Sequence, residues 1–313
     1  MEEVKQEEVM CYMPKTLEEA LKIKSEHDVI VLAGGSDLMV SHKRTLGLTP
    51  RFEKPVMIIR NLPELNKIYI NEKGECCIGS GCTSSQIAEN TLCPWHLRQA
   101  ASRMGAVALR NSATIAGNIA NASPKGDTPG PLYLLDARVK ISSVRGTREK
   151  LVSEFIIKFR TIDLQPDEMI TEIIVPYSED DFDYIFWHKV GTRKANAISK
   201  ITLSQAIKFN EDGTVKDYRV SATATGAKTN RSRDVENIVI GKRLTVELIE
   251  EEIAGFDTVI SPRAMPEFRR EATRRMIRRF LTKAVENREN GVKEKVIDTY
   301  DDYYVTGQPM PRE

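Results

Sequence analysis

The stretch from Gly105 to Gly130 constrains this chain more than any other part of its sequence. It is rich in Gly, Ala, Ser and Asn, follows neither a helical nor a strand period, and lies between segments that do. A compact domain that holds so long an irregular segment usually puts it to use. Small side chains also let a backbone come close to another group. A shorter loop of the same character, Ala33-Gly34-Gly35-Ser36-Asp37-Leu38, runs straight out of the β-branched segment Val29-Ile30-Val31-Leu32. The fold has to present both loops.

Around them the pattern predicts mixed α and β structure. Thr16-Leu17-Glu18-Glu19 is a capping box that opens a helix through about Glu26. Strands are expected at 29–32 and 56–59, and in a hairpin of 68–70 with 76–78 that turns at Lys73-Gly74. Helices are expected after Thr83 or Ser84 and over 96–104, then strands at 138–144 and 170–175, the second closed by Pro176. The acidic connector Glu179-Asp180-Asp181 marks a boundary. Beyond it the pattern gives strands at 184–190, 202–209 and 217–225, then helices at 232–239, at 246–254 and from Ser261-Pro262 onward. The last helix carries an apolar stripe of Phe268, Ala272, Met276, Ile277, Phe280, Leu281 and Ala284. Strands followed by helices predict an α+β module. The domains expected are 1–178, in two lobes split near 55–60, and 179–286. Residues 287–313, with Tyr300, Tyr303 and Tyr304, are expected to form a tail or partner-binding arm.

Composition and missing motifs remove several function classes. Lys+Arg 46 against Asp+Glu 45 leaves no global field for nucleic acid or an anionic membrane. No apolar run approaches the roughly 18 residues of a membrane span. The acidic start Met1-Glu2-Glu3 lacks a secretory pattern, so the expected compartment is the cytoplasm. Five cysteines do not describe a disulfide framework. Cys76, Cys77, Cys82 and Cys93 lie close in sequence and read either as a metal site or as small buried residues. No CxxC pair is present, and adjacent strand residues face opposite ways, so the second reading is favoured and no metal site is expected. His27, His42, His96 and His188 are scattered, and there is no HExxH, nucleophile elbow, Walker sequence or GxGxxG turn. No catalytic side chain is expected, and any chemistry would fall to a cofactor. Arg269, Arg270, Arg274, Arg275, Arg278 and Arg279 follow helical spacing and read as a solvated or partner-facing surface rather than a nucleic-acid site.

What remains is the pair of glycine-bearing loops. Each offers backbone amides with little side-chain bulk, and two of them can grip a diphosphate from two sides, with Asp37 and Asp127 as hydroxyl acceptors. A lone Gly-Gly turn is more often a plain turn; the two loops together, with Asp37 and Asp127, read as a dinucleotide site or as plain turns.

Specific motifs carry a resemblance. Ala33 to Leu38 is similar to the first flavin loop of the medium, FAD-binding subunits of molybdenum hydroxylases of the xanthine, carbon monoxide and nicotinate dehydrogenase type. Arg110-Asn111-Ser112-Ala113-Thr114-Ile115-Ala116-Gly117-Asn118-Ile119-Ala120-Asn121-Ala122-Ser123-Pro124-Lys125-Gly126-Asp127 resembles the second loop almost throughout. The run from His188 to Ser199 and the pieces Gly226-Ala227 and Arg231 to Gly241 are similar to the family's C-terminal domain. The likeness covers about residues 10 to 285.

The resemblance implies a two-part FAD-binding domain of the vanillyl-alcohol-oxidase (PCMH) type. A smaller α+β domain of the CO dehydrogenase flavoprotein type would follow it. It implies that Ala33, Gly34, Gly35, Ser36, Asp37 and Leu38, with Thr114, Ile115, Ala116, Gly117 and Asn118, hold the FAD diphosphate largely through backbone amides. Asp127 takes the place of a carboxylate that hydrogen-bonds the FAD sugar chain, although an Asx turn is its competing reading. Met104 falls where relatives place an aromatic near the flavin, and Ile198 where some place a tyrosine over the isoalloxazine. Either residue also reads as plain core. Lys200 matches a lysine that contacts the cofactor, against a solvated lysine as the alternative. Ile170 fits a backbone flavin contact, and Ala116 stands where glycine is frequent. The implied activity is electron transfer from iron–sulfur clusters through FAD to NAD or another acceptor. The implied partners are a small two-cluster iron–sulfur subunit and a large molybdenum subunit, in a dimer of heterotrimers. The rivals are a stand-alone flavin reductase of the same superfamily and a flavin-free scaffold subunit.

Overall fold

Thr16 begins the first helix as its sequence requires, its hydroxyl accepting from the Glu19 amide at 3.2 Å. Glu19 reaches back one residue further than a capping box would take it, to the amide of Lys15 at 2.8 Å. The computed structural model describes residues 9–43, 51–193 and 195–297. Its internal contacts divide the chain into two units. One runs to Ser123 and resumes over Asp136–Pro176; the other takes Pro124–Leu135 and continues from Tyr177.

The first unit opens with strands β1 (Cys11–Tyr12), β2 (Ile30–Leu32) and β3 (Val56–Ile58), which lie parallel with β3 in the middle. Helix α1 (Leu17–Glu26) joins β1 to β2, and Ala20 from it packs with Val29, Met57, Ile59, Leu62 and Leu65. Parallel strands need a crossover of this kind. Helix α2 (Leu38–Ser41) follows the first glycine loop. Strands β4 (Ile68–Ile70) and β5 (Cys76–Gly79) form the expected hairpin, with Gly74 at φ +79°, a conformation open to glycine. Helices α3 (Ser84–Glu89), α4 (Trp95–Ser102), α5 (Val107–Arg110) and α6 (Ile115–Ala120) come next, and α7 (Pro129–Leu134) leaves for the second unit. Strands β6 (Arg138–Ser143) and β7 (Gly146–Leu151), helix α8 (Val152–Phe155), strands β8 (Ile156–Lys158) and β9 (Thr161–Ile162), and β10 (Met169–Val175) complete the unit. The antiparallel order is β4-β5-β10-β6-β7, so the last strand in sequence sits in the centre and is buried along most of its length.

The second unit is an antiparallel sheet of β11 (Tyr184–Val190), β12 (Ile201–Phe209) and β13 (Val215–Thr223), with β12 central. Helix α9 (Arg233–Glu236) is short, and α10 (Val246–Val259) and α11 (Pro266–Glu289) supply the rest of the core. Phe256, Ile277, Phe280, Leu281 and Ala284 from these helices meet Leu203, Ile207, Tyr218 and Val220 of the sheet. On the other side, α7 packs along β12 and β13, where Ser221 Oγ donates to the Gly130 carbonyl at 2.8 Å.

Several expectations need correction. The 105–130 stretch is not irregular throughout, since α5, α6 and the start of α7 lie within it. Each is too short to show a 3.6-residue period. The longest helix starts at Pro266, not Ser261-Pro262; Met265 precedes it with φ +50°. Phe268 is therefore on the first turn and 41% exposed, outside the apolar stripe. The 232–239 helix shrinks to α9. Strand β7 was missed because Gly146 to Leu151 is mostly polar and edges the sheet. The polar stretch after Asn287 continues α11 to Glu289, and Ile297 then pairs with Ile185 and joins the core. Tyr300, Tyr303 and Tyr304 lie outside the described residues. The arginines of α11 are largely satisfied: Arg274 with Asp257, Arg275 with Glu271 and Arg278 with Glu250, while Arg269 is buried.

Two carboxyls in the second core differ in surroundings. Glu236 is fully buried and receives the Val220 amide at 2.9 Å, Arg231 Nε at 2.7 Å and Arg233 Nη1 at 2.9 Å. Glu252 on α10 is equally buried, and among the described residues neither of its oxygens has a hydrogen-bond partner. Burial, helped by the charge of Glu236, pushes its carboxyl up to about 8. The folded chain thus keeps a proton that the unfolded chain releases near 4.5. Stability from this group is full below that point and falls as pH rises towards 8, by at most about 1.4 kcal/mol per pH unit. Glu252→Gln should flatten this part of the profile. Denaturation midpoints at several pH values between these limits would check it, and an unchanged slope in the variant would refute the assignment.

Candidate cofactor site

The first loop leaves β2 and turns at Gly35, whose φ of +71° only glycine adopts without strain. Gly34 is fixed by space instead. A Cβ there would lie 1.8 Å from the Ser112 carbonyl oxygen, so no side chain fits. The two loops are thus in backbone contact although they are far apart in sequence. Among the described residues, no hydrogen bond engages the amides of Gly34, Gly35, Ser36 or Asp37. Buried or half-buried amides normally find an acceptor. A run without one is a place for an anionic ligand.

The second loop is held on several sides. The Ser84 amide donates to the Ala113 carbonyl at 2.9 Å and the Ile115 amide to that of Cys82 at 3.1 Å. Arg60 donates to the Asn111 carbonyl at 3.2 Å. Thr114 caps α6, accepting from the Gly117 amide at 3.1 Å. Ile115 is buried, and Ala116 is 8% exposed, so its methyl adds little surface. Asn121, at the end of α6, donates from Nδ2 to Asp37 Oδ2 at 3.1 Å and joins the loops a second time.

The other sequence-predicted residues are placed as follows. In the first unit, Met104 is buried and its sulfur accepts from Ser84 Oγ at 3.3 Å. Ile170 is buried opposite Ile141, next to a register shift between β10 and β6. Such bulges release backbone groups from a ladder. In the second unit, Ile198 is 71% exposed. Lys200 donates its amide to Val190, and its ammonium lies 5.7 Å from the centre of the Phe268 ring.

Asp127 also belongs to the second unit, where it is buried with Lys189 Nζ 2.6 Å from Oδ1. Burial raises the carboxyl above its ordinary range, and Lys189 opposes that shift. Lys189 is the residue that sequence reasoning passed over. It lay in a quoted motif, but no spacing links position 189 to position 127; only the alternation of β11 hinted that it turns inward. Among the described residues, no group of three or more His, Cys, Asp or Glu side chains has the arrangement of a metal site. A cleft of about 430 Å³ in the second unit, lined in part by Tyr184, Phe209, Arg288 and Lys293, includes none of the predicted residues.

Comparison with known proteins gives this geometry a family. Residues 5–178 match the model of the FAD binding domain in molybdopterin dehydrogenase, and residues 187–284 match the CO dehydrogenase flavoprotein C-terminal domain. The chain belongs to this FAD-binding family. It is 30% identical over 299 residues to the nicotinate dehydrogenase FAD-subunit of Eubacterium barkeri, covering 90% of this chain and 98% of the relative. It is 26% identical over 279 residues to the xanthine dehydrogenase FAD-binding subunit of Escherichia coli O157:H7, covering 86% and 94%. The reconstituted CO dehydrogenase from Oligotropha carboxidovorans includes a chain of the same fold, with TM-score 0.79, 18% identity, and coverage of 89% and 98%. The expected family, fold and FAD cofactor are therefore borne out: this is a flavoprotein oxidoreductase subunit of the molybdenum hydroxylase family. Among the described residues, no helix is long and apolar enough to cross a membrane.

The Asp127–Lys189 pair yields a test within this flavoprotein. Lys189→Met would leave a buried carboxylate without its cation, a loss of about 3 kcal/mol in comparable cases. Adding Asp127→Asn should restore most of the loss, because the uncompensated charge goes with it. Urea denaturation of the apo chain measures both; equal stability of wild type and the single variant would rule out a buried pair.

Proposed function

We propose that this chain is the electron-transfer subunit of a molybdenum hydroxylase complex in the cytoplasm. It would take electrons from the clusters of a small iron–sulfur subunit, which receives them from a large molybdenum subunit, and deliver them to NAD or another acceptor. The expected assembly is a dimer of heterotrimers. The observation that carries the reading is the pair of interlocked loops with unengaged amides at Gly34 to Asp37. Bound FAD would supply the redox chemistry, being able to exchange one or two electrons.

The chain's own residues bind, orient and shield. The amides of Ala33 to Leu38 and Thr114 to Asn118 would take the diphosphate, and the tight approach at Gly34 keeps side chains out of that cradle. Asp127, paired with Lys189, would accept from hydroxyls of the sugar chain. Ile170 would offer backbone beside the flavin, Met104 a buried wall, and Ile198 and Lys200 further contacts to the cofactor. No side chain need act as acid, base or nucleophile, because the roles assigned are binding and orientation. The separate C-terminal unit that matches the CO dehydrogenase flavoprotein domain favours a complex subunit over a stand-alone reductase.

The purified chain should show flavin absorption near about 370 and about 450 nm and release FAD on denaturation. It should also co-purify with iron–sulfur and molybdenum subunits. A colourless protein that cannot be reconstituted with FAD, alone or with partners, would favour the flavin-free scaffold.

A further inference from the structure

Asp37 occupies the N-cap position of α2, where an aspartate ordinarily accepts from an amide of the first turn. It makes no such bond. Its carboxylate accepts instead from Asn121 Nδ2, across 84 residues of sequence. Asn121 ends α6, and the residue after it, Ala122, is held at φ +46° while fully buried. That conformation usually falls to glycine and costs an alanine roughly 1 kcal/mol. The Ala122 carbonyl is tied down by the Arg160 amide at 3.2 Å, and its own amide bonds Ile119 at 2.9 Å. Two local preferences are thus overridden at neighbouring positions, on either side of the same contact.

We propose that Asn121 is a positioning residue for the cofactor: its side-chain amide clasps Asp37 and sets the first loop against the second at the separation a diphosphate needs. This rests on the reading that those loops hold the FAD diphosphate. The Gly34 approach to Ser112 fixes one end of the first loop, and the Asn121 clasp fixes the other. Between them lie the amides of Gly34, Gly35, Ser36 and Asp37. Without the clasp, the loop pivots about Gly34 and those amides no longer converge. The clasp also engages one oxygen of the Asp37 carboxylate.

Asn121→Asp gives this proposal a readout that general loosening would not mimic. The variant puts two carboxylates within hydrogen-bond distance, and such a pair shares one proton, with one pKa strongly raised. At low pH the shared proton restores a donor between the two positions; at high pH the pair repels itself and the diphosphate. The measurement is the dissociation constant for FAD of the full chain, by flavin fluorescence, for variant and wild type at each pH. The ratio of variant to wild type is expected at about 30 near pH 8 and within about threefold near pH 4.5, where the shared proton is retained. A ratio that does not change with pH overturns the clasp.

If the single variant fails to fold, the exchange Asp37→Asn with Asn121→Asp keeps one donor and one acceptor. It should bind FAD within about fivefold of wild type, and binding as weak as that of Asn121→Ala would overturn the proposal. Hydrogen–deuterium exchange on the wild-type chain separates this failure from that of the underlying reading. FAD should protect 33–38 and 114–118, and no protection there removes the loops as the diphosphate site whatever Asn121 does.

Discussion

The Gly34 backbone lies so close to the Ser112 carbonyl that a methyl group at Gly34 would come within 1.8 Å of it. The arrangement of the first unit depends on that approach. It brings the end of a parallel βαβ element against a loop that belongs to the helical segment between β5 and β6. The loop in turn is pinned by Ser84 and Ile115 through backbone bonds and by Arg60 through its guanidinium. Those anchors come from two other parts of the chain, residues 82–84 and Arg60. The position of the first loop is therefore set by tertiary structure and not by the turn itself, which explains how amides without partners can stay in place.

Much of this fold is legible in sequence because its elements follow local rules. The strands at 184–190 and 201–209, the 68–79 hairpin and the caps at Thr16 and Thr83 are where the alternation and turn residues put them. The glycine loops themselves stand out for the same reason. What could not be read depends on contacts between distant residues. Helices α5 and α6 are single turns supported by their surroundings, and a polar edge strand such as β7 carries no apolar alternation. The start of α11 was placed four residues early because Ser261-Pro262 is a plausible cap, whereas the structure begins the helix at the next proline. The Lys189 partner of Asp127 and the Asn121 partner of Asp37 were invisible, since each side chain has several local roles open to it.

The treatment of buried charge separates structural from functional positions. Glu236 is surrounded by an amide and two guanidiniums, a network that completes its hydrogen bonding. Glu252 nearby has none and avoids the cost of burial by holding a proton. Asp127 is different again. It is as inaccessible as a core residue, and Lys189 Nζ lies 2.6 Å from its Oδ1. A carboxylate that served only the fold would be expected to look like Glu236 or Glu252.

Three departures from local preference lie where the two loops meet. Gly34 has no room for a side chain, Asp37 does not cap its own helix, and Ala122 holds a left-handed backbone. Each would cost stability in isolation, and sequences tend to accept such costs where function requires a particular geometry. Thr16, Thr83, Thr114, Ser232 and Thr245 all accept from their first turns, whereas Thr128 before α7, like Asp37, does not. Left-handed non-glycine residues also occur at Asp136, Arg160, Asn196, Ala224 and Met265, but where the two loops meet, three departures lie within one contact of each other. A pair of polar side chains that bond each other, and not their own helices, is most simply explained as holding a shape for something that binds between the loops they join.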